Sequence, residues 1–169
     1  REVIGQYKPD AVVHCSASVE VGLSSANPGL VYDNNANGSL TLLRAMYEHG
    51  VRAFVLSSTC AVYGEPRTLP MNETHQQAPI NAYGWSKLMA ERMSRDMAAA
   101  HGGTFAHLRY FNAAGAAPKE GVGESRKVET HAVPLALYAV LGRRPSFSVF
   151  GRDYDTRDGS CVRDYVHVL

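Results

Sequence analysis

With 169 residues and acidic and basic side chains that nearly cancel to a formal charge of +1, the chain is long enough for one domain-sized core and offers no electrostatic case for nucleic acid. No apolar run approaches the roughly 20 residues that cross a bilayer, and the opening Arg1-Glu2-Val3-Ile4-Gly5-Gln6-Tyr7 lacks a signal-peptide pattern. A soluble, cytoplasmic protein acting on small molecules is expected, with neither membrane nor nucleic acid as partner. Cys15, Cys60 and Cys161 are odd in number, lie in apolar stretches and form no Cys-x-x-Cys pair. They are expected as buried thiols, not as disulfides or zinc ligands.

Short β-rich runs alternate with longer helical patterns along the chain, the signature of parallel βαβ units in an α/β fold. Ala11 to Cys15 is an apolar run after the turn signal Pro9-Asp10. Asn35 to His49 sets Leu40, Leu43, Met46 and Tyr47 at helical spacing and closes at Gly50. Val51 to Ser58, centred on Phe54-Val55-Leu56, reads as a buried strand, and Pro66 to Pro79 as a loop rich in turn formers. Asn81 opens a second helix that runs to the neighbourhood of Ala100 and stops at Gly102-Gly103; Thr104 to Phe111 is a third strand. This is part of a doubly wound, Rossmann-like parallel sheet.

After Asn112 the texture changes. Ala113 to Gly123 is a small-residue loop, Thr130 to Gly142 a helix, Pro145 to Gly151 a strand, Arg152 to Ser160 a turn-rich segment and Cys161 to Val168 a β-like run. An open Rossmann sheet begins with a strand leading into a glycine-rich turn that holds a pyrophosphate. This chain instead starts on what reads as the helix before an interior strand and stops within a strand, so a piece of a longer protein is expected.

The chemistry concentrates in Tyr83-Gly84-Trp85-Ser86-Lys87 and in Ser57-Ser58-Thr59. Residues at i and i+4 share one helical face, so phenol and ammonium can face one cleft, where a fixed cation favours the phenolate. A free tyrosine, with a pKa of about 10, is a poor base at neutral pH without such help. Tyr-x-x-x-Lys is common by chance and takes its meaning from its company.

That company is extensive. Asp33-Asn34-Asn35-Ala36-Asn37-Gly38, Phe54 through Gly64, Tyr83 through Lys87, Leu108-Arg109-Tyr110-Phe111-Asn112-Ala113-Ala114-Gly115-Ala116, and Phe150 through Gly159 leading to Val162-Arg163-Asp164-Tyr165-Val166-His167-Val168 together resemble the UDP-glucose 4-epimerases of the extended short-chain dehydrogenase/reductase superfamily. The Thr, Tyr and Lys set marks the superfamily, and the last two stretches are more specific to the epimerases. The resemblance implies NAD-dependent inversion of a UDP-hexose at C4 through a 4-keto sugar, by a homodimer. It makes Thr59, Tyr83 and Lys87 catalytic: Tyr83 the base, Lys87 lowering its pKa and holding the nicotinamide ribose, Thr59 hydrogen-bonding the sugar hydroxyl.

The resemblance also implies that Cys15, Ser16, Ala17, Ser18 and Val19 line the cofactor, with Asn34, Asn35 and Ser57 near it and Phe111 beside the nicotinamide. For the UDP-sugar it implies Asn112 at the diphosphate or sugar, His131 and Ala132 in place of a family Asn-Leu pair, Ser148, Val149 and Phe150 along the uridine, and Arg163 on phosphate. Residues 1–115 become an incomplete NAD-binding part and 116–169 a partial nucleotide-sugar part.

Duller uses compete. Asn35 suits a helix cap, Arg163 beside Asp164 suits a surface ion pair, and Tyr110 or Phe111 suits the core. His14, His49, His75, His101, His107 and His167 show no metal spacing, and no metal site is expected. Val19 stands where some epimerases carry lysine, and His131 where they carry asparagine. Without the glycine-rich turn, cofactor affinity is expected to collapse and exposed apolar edges to favour aggregation.

Two alternatives stay open. One is an epimerase for a UDP-N-acetylhexose or UDP-pentose, or a nucleotide-sugar dehydratase, although Cys60 and Ala61 stand where dehydratases place an acidic pair. The other is an inactive fragment without turnover, whose melting would not respond to NAD or UDP-sugars.

Overall fold

A computed structural model of the chain describes residues 1–19 and 21–169, with side chains for 1–19 and 24–169. Two compact units emerge, Arg1–Tyr110 and Phe111–Leu169.

In the first unit, helix α1 (Glu2–Tyr7) precedes strand β1 (Ala11–His14), and a long crossover leads to β2 (Ala53–Thr59). The crossover runs through α2 (Val21–Ala26), α3 (Pro28–Val31), a π-helical turn (Tyr32–Asn37) and α4 (Gly38–Glu48). A second crossover, through α5 (Ala82–His101), reaches β3 (Thr104–Tyr110). The strands form one parallel sheet in the order β1-β2-β3, with Val12 beside Phe54 and Thr59 beside Tyr110. Parallel neighbours require such crossovers, and helices supply them.

Phe54 and Leu56, two apart on β2, point to one face and are buried against Leu43, Ala45 and Met46 of α4, Ile4 of α1 and Ala90 of α5. Burial of a side chain such as Leu56 or Met46 stabilises by about 1.5–3 kcal/mol. Asn81 caps α5 by accepting from the Gly84 backbone N–H at 2.8 Å, and Gly102, at φ 71°, ends the helix region.

The helix expected from Asn35 becomes α-helical only at Gly38. Its first turn is widened into the π form, with Asn35 buried inside and the Asn35 carbonyl accepting from the Ser39 hydroxyl at 2.5 Å. Turns of this kind often serve functional positions.

In the second unit, β4 (Asn112–Ala114) and β5 (Tyr165–His167) pair in parallel, with a 3₁₀ turn at Pro118–Glu120 and helix α6 (Ala132–Val140) between them in sequence. The strand expected over Pro145 to Gly151 is absent: that segment is irregular and exposed. Phe147 and Val149 alternate with serines in the strand period, but among the described residues no partner strand takes up their backbone groups.

The cysteines also depart from expectation, since Cys15 and Cys161 are exposed and Cys60 is half-buried. Cys15 lies one residue past the end of β1, so apolar sequence neighbours do not cover it. Tyr110 and Phe111 are both exposed, so neither is a core aromatic. Among the described residues no helix is long and apolar enough to cross a membrane.

Candidate active site

The three strands run the same way, so Thr59 at the end of β2 and the Cys15–Val19 segment after β1 lie along one edge of the sheet. The carboxyl ends of parallel strands are where open α/β sheets form their ligand crevice. Thr59 is buried, and its Oγ1 accepts from the Ala61 backbone N–H at 3.2 Å, capping the 3₁₀ turn Cys60–Val62.

Tyr83 sits in the first turn of α5, which Gly84 lets approach that same turn. A Cβ on Gly84 would stand 2.6 Å from the Ala61 carbonyl oxygen and 3.0 Å from Pro79 Cβ. The close approach brings the Tyr83 phenol beside the Thr59 side chain, whose polar hydroxyl favours the phenolate. Hydroxyl and phenol, from different elements, can thereby converge on one alcohol.

Lys87, one turn further along α5, is 3 % exposed, and its Nζ donates to the Ser57 carbonyl at 2.8 Å. An ammonium has three protons, so the group retains donors for hydroxyls entering the crevice. Burial lowers its pKa, which the nearby Cys15 partly offsets.

The phenol differs from expectation. Burial pushes Tyr83 above its ordinary value, the Thr59 side chain counters that in part, and Cys60 raises it further. Acidification by Lys87 is therefore not what this chain shows by itself. The physical reason is that desolvation disfavours the phenolate, while the ammonium is engaged with Ser57.

Asn35 is neither a helix cap nor a free side chain. Its Oδ1 accepts from Ser18 N–H at 2.8 Å and from Asn34 Nδ2 at 2.9 Å, while its Nδ2 donates to Ser18 O at 3.0 Å and to Ser86 Oγ at 3.0 Å. This buried amide clamps the segment after β1 to the start of α5. Within that segment Cys15, Ser16 and Val19 are exposed, and Ala17 and Ser18 half-buried; Asn34 is exposed beside them. His14 Nε2 lies 3.0 Å from Ser39 Oγ, and burial, then the Lys87 charge, holds its pKa low. A buried cation with spare donors beside a partly exposed segment at the strand ends fits the ribose and nicotinamide end of a dinucleotide.

A second cluster beneath the site went unread in the sequence. Glu91, 1 % exposed, accepts from Ser58 Oγ at 2.5 Å and takes both arms of the Arg109 fork, Nε at 3.0 Å and Nη2 at 2.6 Å. Arg109 Nη1 donates to the Tyr63 hydroxyl at 2.9 Å, and its guanidinium lies 5.0 Å from that ring's centre. With the Gln77 amide turned so that its oxygen faces Arg109, that oxygen accepts from Nη2 at 2.6 Å. Burial pushes the Glu91 carboxyl up, but the hydrogen bonds from Arg109 and Ser58 and the charges of Arg109 and His107 hold it below its usual range. The available signal was a carboxylate four residues after Lys87 on the same helical face, and an arginine inside a strand.

The remaining expected residues belong to the second unit. Asn112 donates through its backbone N–H and through Nδ2 to the Asp164 carbonyl, at 3.2 and 2.7 Å, tying β4 to the segment before β5. His131 precedes α6, which Ala132 opens, and its Nδ1 stands 3.4 Å from Glu124 and 3.5 Å from Glu129. Ser148, Val149 and Phe150 are exposed on irregular backbone, and Phe111 and Arg163 are exposed. Among the described residues no ion pair joins Arg163 to Asp164.

The sequence family described as "NAD dependent epimerase/dehydratase family" matches residues 1–169. A UDP-glucose 4-epimerase of Rhizobium meliloti (strain 1021) is 54 % identical over 168 residues, 99 % of this chain and 51 % of that protein. Among solved structures, UDP-glucose 4-epimerase from Brucella ovis in complex with NAD superposes with a TM-score of 0.94 at 45 % identity, covering 99 % of this chain and 51 % of that one. The enzyme from Bifidobacterium longum in complex with NAD+ and UDP gives 0.93 at 38 % identity, with coverage of 99 % and 51 %. The chain thus spans about half the length of the relatives it matches.

Proposed function

The chain belongs to the NAD dependent epimerase/dehydratase family, and from that premise we propose that the full-length protein carrying it interconverts UDP-glucose and UDP-galactose by inversion at C4. The observation that carries this reading is the Tyr83 phenol placed beside the Thr59 side chain, which favours its phenolate, next to the buried Lys87 ammonium. The neighbouring enzymes crystallised with NAD and with UDP support the same choice of ligands.

In this reading Thr59 binds the sugar's 4-hydroxyl and Tyr83 takes its proton at the phenolic oxygen. NAD, when bound, supplies a nicotinamide that accepts hydride from C4 and returns it to the opposite face of the rotated 4-keto sugar. Tyr83 then gives the proton back, so no net oxidation occurs. Lys87 binds the nicotinamide ribose. Ser57 and the Cys15–Val19 segment, shaped by Asn35 with Asn34 beside it, border the cofactor, and Phe111 lies at the nicotinamide.

Residues 1–115 serve the cofactor and 116–169 the nucleotide sugar. Asn112, at the end of the first part, and His131, Ala132, Ser148, Val149 and Phe150 of the second contact the substrate, and Arg163 meets phosphate, a match of permanent charge and forked donors to phosphate oxygens. The reading extends to a homodimer in the cytoplasm.

The test is to supply the NAD-loaded, full-length protein with UDP-glucose or UDP-galactose and follow the sugar by NMR. Approach to one equilibrium mixture from either side is the expected result. Unchanged sugar in a folded, NAD-loaded sample overturns the reading.

A further inference from the structure

Two tethers bracket Thr59. On one side its neighbour Ser58 donates to Glu91, on α5, one helical turn after Lys87. On the other, the 3₁₀ turn that Thr59 caps leads directly into Tyr63, whose hydroxyl accepts from Arg109. Arg109 lies beside Ser58 in the β2–β3 register and closes the circuit by its two-armed pair with Glu91. Lys87 adds a third tie between α5 and the same stretch of β2, through the Ser57 carbonyl.

The pair is well satisfied for a buried one. Charge is balanced between carboxylate and guanidinium, the carboxylate accepts from three donors on Ser58 and Arg109, Tyr63 takes the remaining Nη1 arm, and Gln77 shares Nη2 with the carboxylate. Breaking such a pair is costly, but keeping it is weakly stabilising compared with an apolar filling. What an ionic hub offers over an apolar one is direction: each bond fixes an angle as well as a distance.

We infer that Glu91 and Arg109 are positioning residues that hold the Thr59 hydroxyl at its working distance from the Tyr83 phenol by gripping the chain on both sides of Thr59. This rests on the proposed reaction, in which those two oxygens must meet one alcohol. A small misplacement of groups that act together lowers turnover far more than binding.

The test removes one hydroxyl at a time from the full-length protein, changes mild enough to leave it folded. Ser58→Ala cuts the grip on β2, and Tyr63→Phe cuts the grip on the turn. Each is expected to lower kcat by at least about fivefold while KM for the UDP-sugar stays within about twofold, and to speed amide hydrogen exchange over residues 57–63. Ser58→Thr, which restores the hydroxyl, is expected to recover kcat. Epimerisation with parental kcat and parental exchange in both variants overturns the inference. Faster exchange in the variants of a parent that does not epimerise sustains the tethering and overturns only the proposed reaction.

Discussion

Lys87 donates from its buried ammonium to the Ser57 carbonyl at 2.8 Å, while the Tyr83 phenol one turn earlier lies beside Thr59, which favours its phenolate. The two side chains share a helical face without the lysine acidifying the phenol, which burial holds above its ordinary value. In the proposed enzyme the missing positive charge arrives with the nicotinamide. Without NAD, Tyr83 should therefore titrate above about 10, and NAD should bring it down. Ultraviolet difference titration of the full-length protein against its Tyr83→Phe variant measures this, and a phenol already acidic without cofactor contradicts it.

Tyr83→Phe should lower turnover by about 10²–10⁴-fold, the usual contribution of a positioned proton-transfer group, with NAD still bound. Lys87→Met should separate activity from stability. It removes a cation whose burial is unfavourable, so the melting temperature should hold or rise while turnover falls at least about tenfold. Calorimetry and steady-state kinetics on one preparation check both halves.

Gly84→Ala tests the close approach of α5 to the Cys60–Val62 turn. The new methyl would meet the Ala61 carbonyl oxygen at 2.6 Å, and backbone on both sides has little room to yield. A loss of about 1–3 kcal/mol is expected from such overpacking, with a larger proportional loss of activity because Tyr83 rides on the displaced turn. Urea denaturation and the epimerisation assay report the two effects.

Asn35→Leu should release Ser18. The substitution leaves the half-buried Ser18 N–H and C=O without their side-chain partners, at up to about 1 kcal/mol for each, since water reaches them in part. Weaker NAD binding should accompany the lower stability, measured by calorimetric titration of the full-length protein.

Acid should unfold the chain in two stages. His107 is lowered by burial, with Glu91 opposing, and Glu91 itself ends below its usual range. Both groups bind fewer protons folded than unfolded, so stability falls as pH falls. The His107 contribution starts to go below about 6.5 and that of Glu91 below about 4.3, their unfolded values. Melting temperature followed against pH should show both losses, and Glu91→Gln should shrink the lower one, to which Glu129 and Asp158 also contribute.

Hydrophobic period and turn chemistry were enough to read α4, β2 and α5 from the chain, because those elements bury faces whose spacing is written locally: Leu43 with Met46, and Phe54 with Leu56. Pro145 to Gly151 shows the limit. Its alternation is that of a strand, yet a strand exists only where another backbone accepts its hydrogen bonds, and no local signal reports that partner.

By itself the sequence determined the α/β class and the residue types of the site, since Thr59 closing a strand and Tyr83 with Lys87 on one helical face follow from short-range spacing. Tertiary structure alone decided what each group does to the next. It turned Lys87 toward Ser57, raised the phenol through burial, committed Asn35 to Ser18, and joined Ser58, Glu91, Arg109 and Tyr63 across two strands, a turn and a helix. Desolvation and hydrogen-bond partnership depend on which distant segments close around a group, and periodicity along the chain carries no record of that.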